Sequence, residues 1–138
     1  MPDFTLHPQL EKDSLFVRDL PLSQLRLNNQ ADIPWLILIP RRANIREFYE
    51  LTPDDAAQLM TEMRQAGQVL NTLYKPDKIN TAALGNMVPQ LHIHVIARRN
   101  NDVAWPAPIW GRFDPTPFAP DAAQATIGLL NKTAFWTA

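Results

Sequence analysis

A mainly antiparallel α+β fold is what this 138-residue sequence predicts, and three observations carry the prediction. Short strand-like segments separated by tight turns fill the first forty residues. One long amphipathic helix follows, with a start signal at Thr52 and a stop at Pro76. Strand-like segments then return, so strands and helices are segregated and sequential hairpins are the simplest pairing.

The elements follow in order. Ser14 to Asp19 and Ser23 to Asn28 read as two strands around Pro21, and Leu25 and Leu27 alternate with Arg26 at the period of a strand. Asn28 to Asp32 is a cluster of turn formers. Residues 34–40, Pro-Trp-Leu-Ile-Leu-Ile-Pro, predict a strand bounded by prolines and covered on both faces. Thr52-Pro53-Asp54-Asp55 supplies an N-cap, a proline at the first helical position and two acids in the first turn. Leu59, Met63, Ala66, Leu70 and Leu73 then form one apolar stripe, as core or dimer packing requires. A strand is predicted at about 78–84, a turn at Gly85-Asn86 and a further strand at 90–97. Positions 100–120 carry Pro106, Pro108, Pro115, Pro117 and Pro120 and read as irregular. Asp121 to Lys132 predicts a smaller last helix anchored by Ile127, Leu129 and Leu130. The whole is expected to be a single domain, 1–138, with a C-terminal extension at about 112–138.

Composition narrows the function. A formal net charge of −1 gives no field to attract nucleic acid or acidic lipid. The absence of cysteine excludes disulfides, thiol catalysis and thiolate metal sites. Charges from Asp3 to Asp19 leave no room for an apolar signal core. The apolar run Trp35 to Ile39 is far too short to span a bilayer. The expectation is a cytoplasmic protein with neither a membrane nor a nucleic-acid partner. No G-x-x-x-x-G-K-[ST] loop is present to support P-loop chemistry.

The chemistry concentrates between residues 90 and 96. Side chains alternate along a strand, so Gln90, His92 and His94 share one face while Leu91, Ile93 and Val95 face the core. Two of the chain's three histidines thus stand side by side. Same-face neighbours lie roughly 7 Å apart, close enough to touch one phosphate or one metal ion. A plain buried pair of histidines is the bland alternative. A metal site needs a third and usually a fourth ligand, and neither His7 nor any acid lies near His92 in sequence, so it is less favoured.

The surroundings point further. A Gly-containing turn, the run Q-L-H-I-H-V-I, the basic pair Arg98-Arg99 and then Trp105-Pro106 together resemble the histidine-triad family, whose signature is H-φ-H-φ-H-φ-φ with φ apolar. The segment P-W-L-I-L-I-P-R-R at 34–42 resembles that family's apolar strand ending in Ile-Pro and two basic residues. The resemblance covers roughly residues 14–110.

That resemblance implies a mechanism. His92 takes the place of the nucleophile that attacks the α-phosphorus of a nucleoside phosphoramidate or dinucleoside polyphosphate. A nucleotidyl-histidine forms and water releases the nucleoside monophosphate, with no cofactor and no metal. His94 would contact the phosphate or help protonate the leaving group. Gln90 stands where the family has its first histidine; it hydrogen-bonds but carries no charge near neutral pH. A related transferase branch has its glutamine at the third position instead, so this chain does not match it. Asn86, Asn80 and Asn28 are the implied substrate contacts, although Gly85-Asn86 is also an ordinary turn. Met87 falls where a phosphate-binding hydroxyl is usual. Trp105, in the Trp-Pro segment, would reach toward a partner's site and implies a homodimer. Arg98 and Arg99 are expected to be solvated charges at a strand end. A nucleotide-binding module with little turnover, motivated by Gln90 and Met87, is the principal alternative. A metal-dependent protein using the two histidines is the lesser one.

Overall fold

The computed structural model describes residues 3–136, so the outermost two residues at each end of the expected domain lie outside the described residues. In chain order the elements are α1 (Pro8–Asp13), β1 (Ser14–Asp19), β2 (Ser23–Asn28), β3 (Trp35–Pro40), a 3₁₀ turn at Phe48–Glu50, α2 (Pro53–Tyr74), β4 (Lys78–Ala82), β5 (Ile93–Arg98) and α3 (Pro120–Asn131). The five strands form one antiparallel sheet in the order β1-β2-β3-β5-β4. The predicted α+β class, the long helix and the C-terminal helix are all present. No helix among the described residues is long and apolar enough to cross a membrane.

The helix α2 begins as its sequence dictates. The Thr52 hydroxyl accepts from the Asp55 N–H at 3.2 Å, and Pro53 occupies the first turn, where a missing N–H costs nothing. Lys75 ends the helix in the left-handed region at φ 47. The apolar stripe lies over Leu36, Leu38, Ile93 and Val95, and Leu59, Ala66, Val69 and Leu70 are buried there. Within this core Glu62 is fully buried, and its carboxylate accepts from the N–H groups of Leu22 and Ser23 and from Gln58. It fastens the β1–β2 turn to the helix.

The opposite face of the sheet is also covered, by chain with little regular structure. Trp35, Ile37, Ile39 and Ile96 pack there against Phe4, Leu6 and Leu10 from the N-terminal segment and against Ile109, Trp110 and Phe113 from the stretch after β5. The short helix α1 was not anticipated from sequence; six residues are too few to establish a helical period.

Three further expectations are corrected. The strand predicted at 90–97 begins only at Ile93, because the main chain of residues 90 and 91 bonds elsewhere. The Gln90 carbonyl meets the His92 ring and the Leu91 N–H donates to the Ile45 carbonyl. The facing of side chains survives, since Leu91, Ile93 and Val95 all enter the α2 core. In α3, Leu129 is half exposed, because Ala123, Ile127 and Leu130 share the buried side at steps of four and three. Arg98 is not a solvated charge. It is 2% exposed and makes a two-pronged ion pair with Asp102 at 2.6 and 3.0 Å, with further bonds to Asn80 and the Ala107 carbonyl. It bolts the irregular segment to the sheet. Arg99 is exposed but donates to the carbonyls of Tyr74 and Lys75, where a cation complements the end of α2.

Candidate functional site

His94 sits in the middle of the sheet, opposite Ile37 on β3 and Ala82 on β4. His92 lies two residues earlier, on the same face, just before β5. Their ring centroids are 4.9 Å apart and nearly perpendicular. Both side chains are buried.

Their hydrogen bonds fix two opposite tautomers. His92 Nδ1 lies 2.7 Å from the Gln90 carbonyl oxygen. That oxygen only accepts, so Nδ1 carries the proton and Nε2 keeps its lone pair. For His94 the partner is the indole of Trp35, which donates to Nδ1 at 2.9 Å. An indole N–H only donates, so His94 Nδ1 is bare and Nε2 carries the proton. One ring therefore offers a nucleophilic nitrogen and the other a hydrogen-bond donor.

The electrostatics agree with neutral rings. Burial pushes His92 below its ordinary value, partly opposed by the Gln90 carbonyl and assisted by His7. For His94 burial is the main cause and His92 adds to it, bringing the value down to about 3. Trp35 and Trp110 wall His94 with ring centroids at 5.6 and 5.2 Å.

Two clefts meet at His92. One, of about 380 Å³, is lined by Leu84, Gly85, Asn86, Met87, Val88, His92, His94 and Trp110. The other, of about 80 Å³, is lined by Arg46, Glu47, Phe48, Leu84, Gln90 and His92. Gly85, at φ +84, turns the chain between them in a conformation that side chains resist.

Of the residues predicted from sequence, Gln90, His92, His94 and Asn86 come together here. Asn80 does not. Its side chain accepts from Arg98 at 2.9 Å, and it lines a separate hollow on the β4 side that shares only Trp110. Asn28 ends β2, two strands from β5. Trp105 is 37% exposed, with the Arg98 guanidinium 5.8 Å from its ring centre, and lines neither cleft. Sequence reasoning missed Trp35, Trp110, His7 and Arg46. Trp35 left a trace: a buried indole needs an acceptor, and an apolar strand offers none of its own. Among the described residues no three His, Asp or Glu side chains are grouped so as to hold a metal ion.

Three comparisons bear on this arrangement. The HIT domain pattern matches residues 9–101. A bifunctional bis(5'-adenosyl)-triphosphatase/adenylylsulfatase of Arabidopsis thaliana is 28% identical over 87 residues, which are 59% of this chain and 48% of that protein. A bis(5'-nucleosyl)-tetraphosphatase (asymmetrical) of Schizosaccharomyces pombe is 30% identical over 87 residues, 59% and 47% respectively. The match thus spans about half the length of these curated relatives. Among solved structures, a histidine triad protein of Bradyrhizobium japonicum superposes with a TM-score of 0.92 at 44% identity, over 95% of this chain and 98% of that one.

Proposed function

Because this chain belongs to the HIT domain family, we propose that it is a nucleotidyl hydrolase or transferase in which His92 attacks the α-phosphorus of a nucleotide anhydride. The observation that carries the reading is the Gln90 carbonyl on His92 Nδ1, which leaves Nε2 with a lone pair where the two clefts meet. Attack forms an Nε2–phosphorus bond and breaks the bond to the leaving group, which departs with its electron pair. Water then displaces His92 and releases the nucleoside monophosphate. Dividing one displacement into two is ordinary covalent catalysis. His94 donates its Nε2–H to a phosphate oxygen, where charge builds in the transition state. Asn86 is a second contact from the cleft rim.

In this reading Gln90 stands at the first position of the triad. Neither Gln90 nor His94 then stands ready to protonate a leaving amine. His94, held down to about 3, is a neutral donor at pH 7 rather than an acid, and a carboxamide does not titrate. This favours leaving groups that depart as stable anions, as dinucleoside polyphosphates supply, over phosphoramidates. The unpaired edge of β4 and the exposed Leu84 and Met87 beside it support the homodimer that the family resemblance implies.

The test is hydrolysis of a dinucleoside triphosphate and of a nucleoside phosphoramidate by the purified chain and by His92→Ala. The expected result is faster turnover of the triphosphate and a loss of roughly 10³-fold or more in the variant. Undiminished turnover by the variant removes His92 as nucleophile. Tight binding of nucleoside monophosphate with no turnover of either substrate favours the binding module.

A further inference from the structure

Both polar atoms of the Gln90 carboxamide are already engaged within the protein. Nε2 donates to the Thr5 carbonyl at 2.8 Å, and Oε1 accepts from the His7 N–H at 2.9 Å. These two partners flank Leu6. A residue in a parallel strand pairs with its neighbour in the same way, bonding one carbonyl and one N–H on either side of a single residue. The side chain thus takes the place of a strand residue that the N-terminal segment lacks. Leu6 and Phe4 pack into the core on the histidine face, so the segment is seated as well as tethered.

The same residue meets the nucleophile through its main chain, since its carbonyl accepts from His92 Nδ1. Residues 90 and 91 precede the strand and gain no ladder bonds from it. What holds them is the Leu91 N–H on the Ile45 carbonyl on one side and the Thr5–His7 tether on the other. His7 is itself fixed, its Nδ1 accepting from the Gln9 N–H at 3.0 Å.

We propose that Gln90 is a positioning residue: by tying Thr5 and His7 to its side chain it fixes the carbonyl that orients His92, and so makes the N-terminal segment a working part of the histidine site. The catalytic consequence rests on His92 being the nucleophile, whereas the effect on the His92 tautomer does not. Glutamine suits the task because it offers one donor and one acceptor side by side. A carboxylate there turns a second acceptor against the Thr5 carbonyl and pushes the Thr5–His7 segment away, and a thioether tethers neither partner.

The experiment uses the full chain with ¹⁵N-labelled histidine, comparing the unaltered protein with Gln90→Glu, Gln90→Met, Leu6→Asp and His7→Ala. Long-range ¹H–¹⁵N spectra report the His92 tautomer without substrate, amide exchange reports the His7 N–H in the variants that keep His7, and hydrolysis of a dinucleoside triphosphate reports turnover. In both Gln90 variants the His7 N–H is expected to exchange about tenfold faster or more. His92 then becomes a mixture of tautomers, and kcat falls by a similar factor with KM little changed. Leu6→Asp unseats the segment without touching Gln90 and should do the same, which keeps the test decisive if a Gln90 variant does not fold. His7→Ala retains the main-chain N–H and should leave His92 protonated on Nδ1. Faster His7 exchange with His92 still wholly Nδ1-protonated overturns the proposal, and so does His7 exchange unchanged in the folded Gln90 variants. If the unaltered chain hydrolyses nothing, the proposed function fails while the tautomer measurement still decides the positioning role.

Discussion

On one face of the sheet, α2 and α3 lay aliphatic side chains over β1, β2, β3 and β5 at regular helical intervals, with the buried carboxylate of Glu62 pinning one turn. On the other face, the N-terminal segment and the irregular stretch after β5 cover aromatic rings, two histidines and a buried arginine. The first face is held by area removed from water, which is non-directional and tolerant of small shifts. The second adds hydrogen bonds in which the Nδ1 of each histidine ring has an assigned partner. The histidine chemistry sits on the second, because tautomers are set by direction rather than by area.

Substitutions on the two faces should therefore fail differently. The largest loss is expected for Arg98→Ala, which leaves Asp102 with only the Ala104 and Trp105 N–H groups and cuts the bonds that tie residues 102–107 to the sheet. Breaking a buried ion pair of this kind costs about 3–5 kcal/mol, to be read from urea unfolding. Activity should fall with stability there, because Trp110, a wall of the His94 cleft, follows in the same segment.

Acid should act through the histidine face. The folded protein keeps His94 unprotonated down to about 3, while the unfolded chain takes up a proton near 6.5. The unfolded state thus binds more protons between these values, so stability rises with pH across the window and is lost on acidification. The slope from His94 approaches about 1.4 kcal/mol per pH unit. Above the ordinary value this contribution is flat. Chemical unfolding between pH 4 and 8 should show this slope in the unaltered chain and a flatter one in His94→Phe.

A smaller effect is expected for Trp35→Phe, which keeps most of the ring and removes the N–H. His94 Nδ1 is then buried without its donor, at a cost of about 1–3 kcal/mol, and the His94 tautomer is no longer fixed. Turnover should drop by more than the stability loss explains. The smallest is Thr52→Ala, on the other face, which removes the N-cap of α2 at about 1 kcal/mol. It should lower the melting temperature and leave turnover of the folded protein unchanged. A fall in turnover equal to that of Trp35→Phe would erase the distinction between the faces.

The same distinction governs what the sequence reveals. The α2 face is periodic, so Thr52, the stripe from Leu59 to Leu73 and the alternation through Val95 were all legible before any coordinates. His92 and His94 were legible too, because strand alternation places them together. What fixes their tautomers was not. Trp35 and the Gln90 carbonyl act across turns and strands, and no period records such contacts. Arg98 reads as a solvated charge in the sequence because its burial depends on Asp102 and on a proline-rich segment whose path has no repeat. Asn80 reads as a phosphate contact in the sequence, and its side-chain oxygen accepts from that arginine in the structure. His7 is remote from His92 in sequence, yet a side-chain amide draws its main chain to Gln90.

The most direct test is to find the covalent intermediate. The chain is mixed with a dinucleoside triphosphate, stopped within a turnover under conditions that preserve phosphorus–nitrogen bonds, and digested for mass spectrometry of the peptides that carry His7, His92 and His94. A nucleotidyl adduct on His92, absent from His92→Ala, is the predicted result. An adduct on His94 or His7, or hydrolysis by His92→Ala at the unaltered rate, would contradict the assignment of His92 as the nucleophile.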